Sequence, residues 1–428
     1  MFKKIQIAAY GLLSAFNVAV IGQLKANEFI VLLFAPLTFK MKDFKDYPYF
    51  RKIIFAMIGL LVFQFITDIF VVDNTAQNFL RGWAGTIMGI LSFIFLFRTL
   101  DTESAVMTFI FWTMVKNIFF TDDIVDSDMS YFKFKIVPIL ASALQLMAVY
   151  LYKRGKIMLM MGVMMCACLM CFANDARSSG MLFFLGAGII WLLNRDIQIN
   201  RRTLFVFILF GSIVFELCYV FYVKSVLSNQ LGGGHSSSQL ERLENPYNPF
   251  ELLMTGRGET FAAITAIGDK PWFGHGSWAK DKNLKYYRII LALQGGDEDG
   301  GDMNLEKADS VDRYIPSHSV LMGGWIACGL GGFICVFLIF WYLMKMTFTL
   351  VLKAQALPLY PVYVMMGIGL LWTFLFSPFQ HLRFTIPATG CIIMNGYYDW
   401  LYMKNNMDNE EGDDGEPVQE EEEHLMLN

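Results

Sequence analysis

The stretch Pro316–Phe340, PSHSVLMGGWIACGLGGFICVFLIF, passes within four residues from polar loop to an apolar run of membrane length. It closes a polar stretch that begins at about Lys224 and ends at Ser319, with membrane-length apolar runs on either side. Transporters and channels work with short connections. A membrane protein that carries one large loop on one side is organised for chemistry or recognition there.

Working outward, hydrophobic residues make up 55%, charged residues 17%, and the mean hydropathy is +0.45. That balance excludes a soluble globular protein. Backbone in lipid must satisfy its own hydrogen bonds, and unalternating apolar runs do so as helices rather than as a barrel. The expected fold is an all-α polytopic membrane protein with about twelve spans of roughly 17 to 22 residues. They are expected near 5–22, 25–39, 53–72, 82–97, 104–120, 134–152, 157–173, 180–194, 203–223, 322–344, 358–377 and 384–402. Pro36 predicts a bent or incompletely crossing second helix. The organisation follows: a transmembrane bundle over 1–223, a loop domain over 224–321, further transmembrane helices over 322–402 and an acidic tail over 403–428.

Lys3, Lys4, the Lys40–Lys52 cluster, Arg98, Lys153, Arg154, Lys156, Arg195, Arg201, Arg202, Lys345 and Lys353 fall in one set of connections. That side holds about seventeen basic residues against about seven, so it is assigned to the cytoplasm, with both termini, and the large loop to the outside. The first apolar run lacks a small-residue cleavage pattern and is read as a retained helix. The net charge of −4 reflects the run from Asp408 to Glu423, a solvating acidic segment. All seven cysteines lie in expected helices, so no disulfide framework is expected in the loop. The cluster Cys166, Cys168 and Cys171 reads as packing in an apolar helix.

Within the loop, GGGHSSS (Gly232–Ser238) is a flexible linker by composition. Apolar spacing around Phe261, Ile264 and Ile267, and again over Ile289–Leu293, predicts helix. The run Gln294–Asp302 is loop-like and does not fit a calcium-loop template.

Three positions carry the chemistry that such a loop suggests. Arg177 lies in NDARSSG between two spans, Arg257 in TGRGETF and His318 at the loop's end. A guanidinium fork suits phosphate or diphosphate and keeps its charge. A histidine near neutrality can take a proton from an attacking hydroxyl. Each has a plainer reading: a headgroup anchor for Arg177, a surface ion pair for Arg257 and a satisfied interface histidine for His318. Arg81 and Arg383, on the same side, are secondary candidates for sugar or phosphate contact, and His275 and His381 are weaker ones. Asp68 and Glu216 fall within spans and are read as helix-interface partners.

The order of motifs resembles the O-antigen ligase and polymerase superfamily. Gly256-Arg257, Phe261, Pro271, Gly274, Gly276, His318 and Gly329-Leu330-Gly331-Gly332 occupy that family's places, and ARSSG resembles its earlier arginine motif. The family often has Asn where this chain has Ser319, and Trp where it has Phe261. Ser319 keeps one hydrogen-bonding group on the acceptor side.

The resemblance implies a fold similar to the glycosyltransferases that use lipid-phosphate donors (the GT-C class), and an inverting transfer without metal or other cofactor. The setting implied is the outer face of a bacterial inner membrane. The partners implied are a glycan donor on undecaprenyl diphosphate, a lipid A–core or other glycan acceptor, and membrane lipids, with no nucleic acid. The diphosphate would be held by Arg177 and Arg257, and His318 would orient or deprotonate the acceptor hydroxyl. One large loop favours ligation of O-antigen to lipid A–core. Polymerisation of lipid-linked repeat units, transfer to protein and a lipid-linked glycan flippase stand as alternatives. A flippase calls for charges along a midplane path.

Overall fold

The computed structural model describes residues 2–19, 23–120, 131–174, 176–195, 219–228, 245–249, 251–252, 257–293 and 314–412, with scattered positions between 209 and 243. Its first half comprises α1 (Phe2–Leu13), a hairpin of β1 (Asn17–Ala19) and β2 (Gln23–Lys25), α2 (Ala26–Thr38), α3 (Met41–Asp46) and α4 (Pro48–Ile66). There follow α5 (Ala76–Thr99), α6 (Glu103–Phe119), α7 (Val137–Lys153), α8 (Ile157–Ala173) and α9 (Arg177–Leu193). The loop region contributes α10 (Gly258–Asp269) and α11 (Lys285–Leu293), and the chain returns through α12 (Val320–Lys353), α13 (Tyr360–Phe376) and α14 (Thr385–Gly412). Single π-helical turns, Thr67–Val71 and Phe132–Ile136, extend α4 and lead into α7.

Local chemistry sets several of these boundaries. Pro48 and Pro361 stand in the first turns of α4 and α13, where a missing N–H costs nothing. Thr102 caps α6 by accepting from the Ala105 amide at 3.3 Å.

Helix α12 is the central element, packed against α4, α13 and α14, while α5 packs against α2, α4 and α14. Their apolar faces form the main core, including Phe50, Met57, Leu60, Phe93, Val336, Leu343 and Phe374. A second core joins α7, α8 and α9 to α13, through residues such as Leu144, Met164, Phe183 and Tyr360. Large apolar side chains remain exposed, among them Leu37, Phe55, Phe70, Leu159 and Phe348, as expected for faces turned to lipid.

Among the described residues four helices are long and apolar enough to cross a membrane: Pro48–Val71, Ala76–Thr99, Phe132–Lys153 and Val320–Lys353. Four shorter apolar helices, Ala26–Thr38, Ile157–Ala173, Arg177–Leu193 and Tyr360–Phe376, match further expected spans. Expected spans 5–22, 104–120 and 384–402 correspond to α1, α6 and α14, which fall in neither group. The span expected at 203–223 lies largely outside the described residues.

The first run is the clearest departure. Its helix stops at Leu13, and Asn17, Val18 and Ala19 pair with Lys25, Leu24 and Gln23 in an antiparallel hairpin. Polar Asn17 and β-branched Val18 suit a strand better than helix. Hydropathy alone could not register that change of period.

The chain reverses direction from each long helix to the next, so one end of the bundle gathers the end of α4, the starts of α5, α9, α12 and α14, and the end of α13. The loop helices α10 and α11 sit at that end, which is called the loop end below. They pack on each other through Ala262, Ala263, Ala266, Tyr286 and Ile290, and reach α12 through Ile326. Asp281 holds the start of α11 by accepting from the Tyr287 amide at 2.8 Å.

Candidate active site

The site begins with a broken helix. Cys328 and Gly329 leave helical geometry inside α12, with Gly329 at φ +67°. Such a break strips carbonyls and amides of their partners, and buried backbone groups must find others. The turn Pro271–Gly276 supplies them. The His275 amide donates to the Ile326 carbonyl at 2.7 Å, and the Gly276 amide donates to that of Ala327 at 3.1 Å. In return, the Leu330 amide donates to the Pro271 carbonyl at 3.0 Å, and the Trp325 indole donates to the same oxygen at 2.8 Å. The two backbones touch. A Cβ on Gly329 would lie 2.1 Å from the Trp272 carbonyl oxygen, and one on Gly274 would lie 2.6 Å from the Gly329 nitrogen. Only glycine permits both the positive φ and the approach.

The turn is anchored on its other side by the π-helical end of α4. Thr67 donates to the Phe273 carbonyl at 2.8 Å. Buried Asp68 accepts from the Ser277 amide at 2.7 Å, from Asn74 at 2.8 Å and from the Trp83 indole at 3.0 Å. Asp68 is thus an interface partner, as its place in an apolar run predicted. It joins a helix end to the loop domain.

Beneath this turn lies a cavity of about 850 Å³ whose lining includes Lys25, Arg81, Glu259, Trp278, Tyr314, His318 and Arg383. His318 is exposed to it, and its Nδ1 lies 3.8 Å from the Glu259 carboxylate, on the first turn of α10. Arg81, near the start of α5, lays its guanidinium 3.6 Å from the centre of the Trp278 ring and 3.4 Å from the Tyr314 hydroxyl. Trp278 holds a φ of +52°, a costly conformation for a bulky residue, and its ring faces the arginine. Arg383 makes a bidentate pair with Glu28, whose side chain is 2% exposed. Two of its three guanidinium nitrogens are thus committed to Glu28, although Arg383 still lines the cavity.

The remaining expected residues fall elsewhere. Ser319 is buried and caps α12, accepting from the Met322 amide at 3.3 Å and donating to the Phe374 carbonyl at 3.1 Å. Its one O–H is committed to that structural bond, and the residue is 5% exposed. Arg257 begins α10, half-buried, with its guanidinium 5.1 Å from the Trp372 ring and 4.6 Å from the Phe376 ring. Burial pushes its pKa down, and the nearby Glu259 carboxylate opposes that. Arg257 does not line the cavity, although it stands two residues from Glu259, which does. Arg177 begins α9 and lies 5.5 Å from the Tyr222 ring, also away from the cavity. Gly256 lies outside the described residues.

His275 turns its Nε2 to the Ala266 carbonyl at 2.8 Å, and burial pushes its pKa down. His381 meets the Thr385 hydroxyl at 2.9 Å. The structure brings His318 together with Arg81 and Arg383, and separates it from Arg177.

Sequence reasoning did not single out Glu259, Trp278, Tyr314 or Lys25. Glu259 had a signal, since an acidic residue in a first helical turn follows the Gly-Arg pair after one glycine. Trp278 and Tyr314 meet Arg81 from far along the chain, a long-range contact that spacing does not reveal. No protein-family model matches this chain, and no curated protein matches it.

Proposed function

We propose that this chain transfers a glycan from undecaprenyl diphosphate to an acceptor hydroxyl within the cavity at the loop end. The transfer fits ligation of O-antigen to lipid A–core best. What carries the reading is the pairing of His318 with Glu259 on the wall of a cavity large enough for sugar units. The resemblance of the Gly-Arg, Pro-x-x-Gly-x-Gly and His motifs points the same way.

The step balances without an added reagent. The acceptor oxygen attacks the anomeric carbon and gives its proton to His318. The carbon–oxygen bond to the diphosphate breaks, the electron pair leaves with undecaprenyl diphosphate, and the configuration inverts. A positioned histidine base contributes about 10²- to 10⁴-fold. The Glu259 carboxylate, within 4 Å, orients the ring and stabilises the imidazolium that forms. Glu259 acts through His318 and is a positioning residue.

Orientation belongs to the same proposal. The basic residues at the opposite end of the bundle face the cytoplasm and the cavity faces outward. A smaller cleft of about 220 Å³ between α7, α9, α13 and α14 is lined by residues such as Gln145, Phe183, Thr373 and Thr389, and none of its lining residues is charged. It supplies no charged midplane path of the kind a flippase calls for.

The test is lipopolysaccharide profiling of a deletion strain complemented with wild type or His318→Ala. Ligation predicts that His318→Ala leaves core without glycan while lipid-linked chains accumulate. Core capped by a single repeat unit would replace ligation with polymerisation. An unchanged profile would reject both.

A further inference from the structure

The charges around the cavity are unevenly distributed. On the floor Arg383 and Glu28 cancel each other. Lys25 stands one helical turn before Glu28, and Arg81 stands one turn before Gly85, whose nearest foreign atom is Arg383 Cδ. Lys25 and Arg81 therefore flank the neutralised pair, each a turn closer to the loop end. Lys25 lies with its ammonium 4.9 Å from the Phe384 ring while its amide donates to Glu28 at 2.8 Å, and Arg81 stacks on Trp278; neither side chain makes an ion pair among the described residues. Two cations thus face one cavity, whose one lining carboxylate among the described residues, Glu259, lies beside His318.

Their position relative to His318 is equally specific. Arg81 bonds Tyr314, and His318 follows four residues later, so those two Cα atoms lie at most roughly 14 Å apart. One end of that segment carries the proton acceptor and the other abuts the arginine. An inverting displacement needs a base on one side of the anomeric carbon and charge stabilisation on the other. A sugar with its diphosphate fits that interval. Stacking holds the Arg81 plane fixed while its edge stays open to hydrogen bonding, so the fork is ordered before a ligand arrives.

We infer that Lys25 and Arg81 form the diphosphate subsite of the cavity, receiving the leaving group opposite His318, in place of the Arg177 and Arg257 pair that the motifs suggested. The inference rests on the transfer reading for its substrate, but the binding of a diphosphate is separable from transfer. Phosphate oxygens are also the better match in kind, since an Arg fork and a Lys point charge together suit two adjacent phosphoryl groups.

The experiment measures binding of undecaprenyl diphosphate to the purified full-length chain in nanodiscs, with undecaprenol as the uncharged control and inorganic pyrophosphate as competitor. Arg81→Gln and Lys25→Gln are each expected to weaken undecaprenyl diphosphate binding at least tenfold and leave undecaprenol binding unchanged. Arg81→Lys keeps the charge but loses the fork, so it should fall between. Competition by pyrophosphate is expected, because the site reads the diphosphate; a lipid that binds without such competition would overturn the assignment. Wild-type affinity in both neutral variants, or loss of affinity in Arg177→Gln alone, would also overturn it. If Arg81→Gln fails to fold, Lys25→Gln carries the test. Should these binding effects appear while His318→Ala still transfers glycan, the subsite stands and the base assignment fails.

Discussion

The cavity beneath the loop domain and the Arg177 corner of the bundle each hold an arginine against an aromatic ring. Arg81 meets Trp278 and Tyr314, and Arg177 meets Tyr222. Aromatic contact is common to both, so it does not mark the site. The difference lies in what else the cavity offers: about 850 Å³ of space, a second cation at Lys25 with no ion pair among the described residues, and a histidine with its carboxylate. Arg177 is not among the residues that line this cavity. A guanidinium becomes a candidate anion site when geometry leaves room and withholds a counter-charge.

The comparison breaks most severely if the cavity loses its roof. Gly329→Val places side-chain atoms where the Trp272 carbonyl lies and forces a β-branched residue to φ +67°. The turn should leave the helix break, with hydrogen exchange of the His275 and Gly276 amides rising to that of free loop. Transfer should fall at least about 10²-fold, as expected when the base is displaced. Retained protection in this variant would show that the break does not hold the turn.

Next in size is the buried pair. Arg383→Gln leaves the Glu28 carboxylate uncompensated at 2% exposure, which should cost about 3–5 kcal/mol of stability by thermal or denaturant unfolding. Adding Glu28→Gln should recover most of that loss. A null result for the single variant would return Arg383 to the list of open cations and weaken the distinction drawn between it and Arg81.

Glu259 sharpens the comparison from the other wall. Glu259→Gln should lower kcat about tenfold with KM nearly unchanged, and Glu259→Asp should restore part of it. A loss confined to KM would make Glu259 a substrate contact rather than a partner of His318.

The smallest effect concerns pH. Burial depresses the His275 pKa below its unfolded value near 6.5, so the unfolded state binds the extra proton first. The loop domain is then fully stable above pH 6.5 and loses stability as pH falls through the window below it. Hydrogen exchange across α10 should quicken between pH 7 and pH 5, and His275→Gln, which can still donate to Ala266, should remove that dependence.

Much of this was legible in the sequence. The all-helical class and helical segments around Phe261–Ile267 and Ile289–Leu293 followed from hydropathy and apolar spacing. So did the prominence of His318. Arg81 was visible as a secondary candidate, but its contact with Trp278 and the seating of that loop depend on a long-range event, the insertion of Pro271–Gly276 into α12. The glycines that allow it were visible as a motif, but spacing within a motif does not reveal the distant backbone it will meet. Arg177 and Ser319 illustrate the converse. Both stand in family-like motifs, and one lies away from the cavity while the other caps a helix.

The most direct test is a structure of the chain in nanodiscs with an undecaprenyl-diphosphate-linked glycan bound. The account predicts the first sugar between His318 and Arg81, with its diphosphate against Arg81 and Lys25. A diphosphate seated at Arg177, with the His318 cavity filled by water, would contradict it.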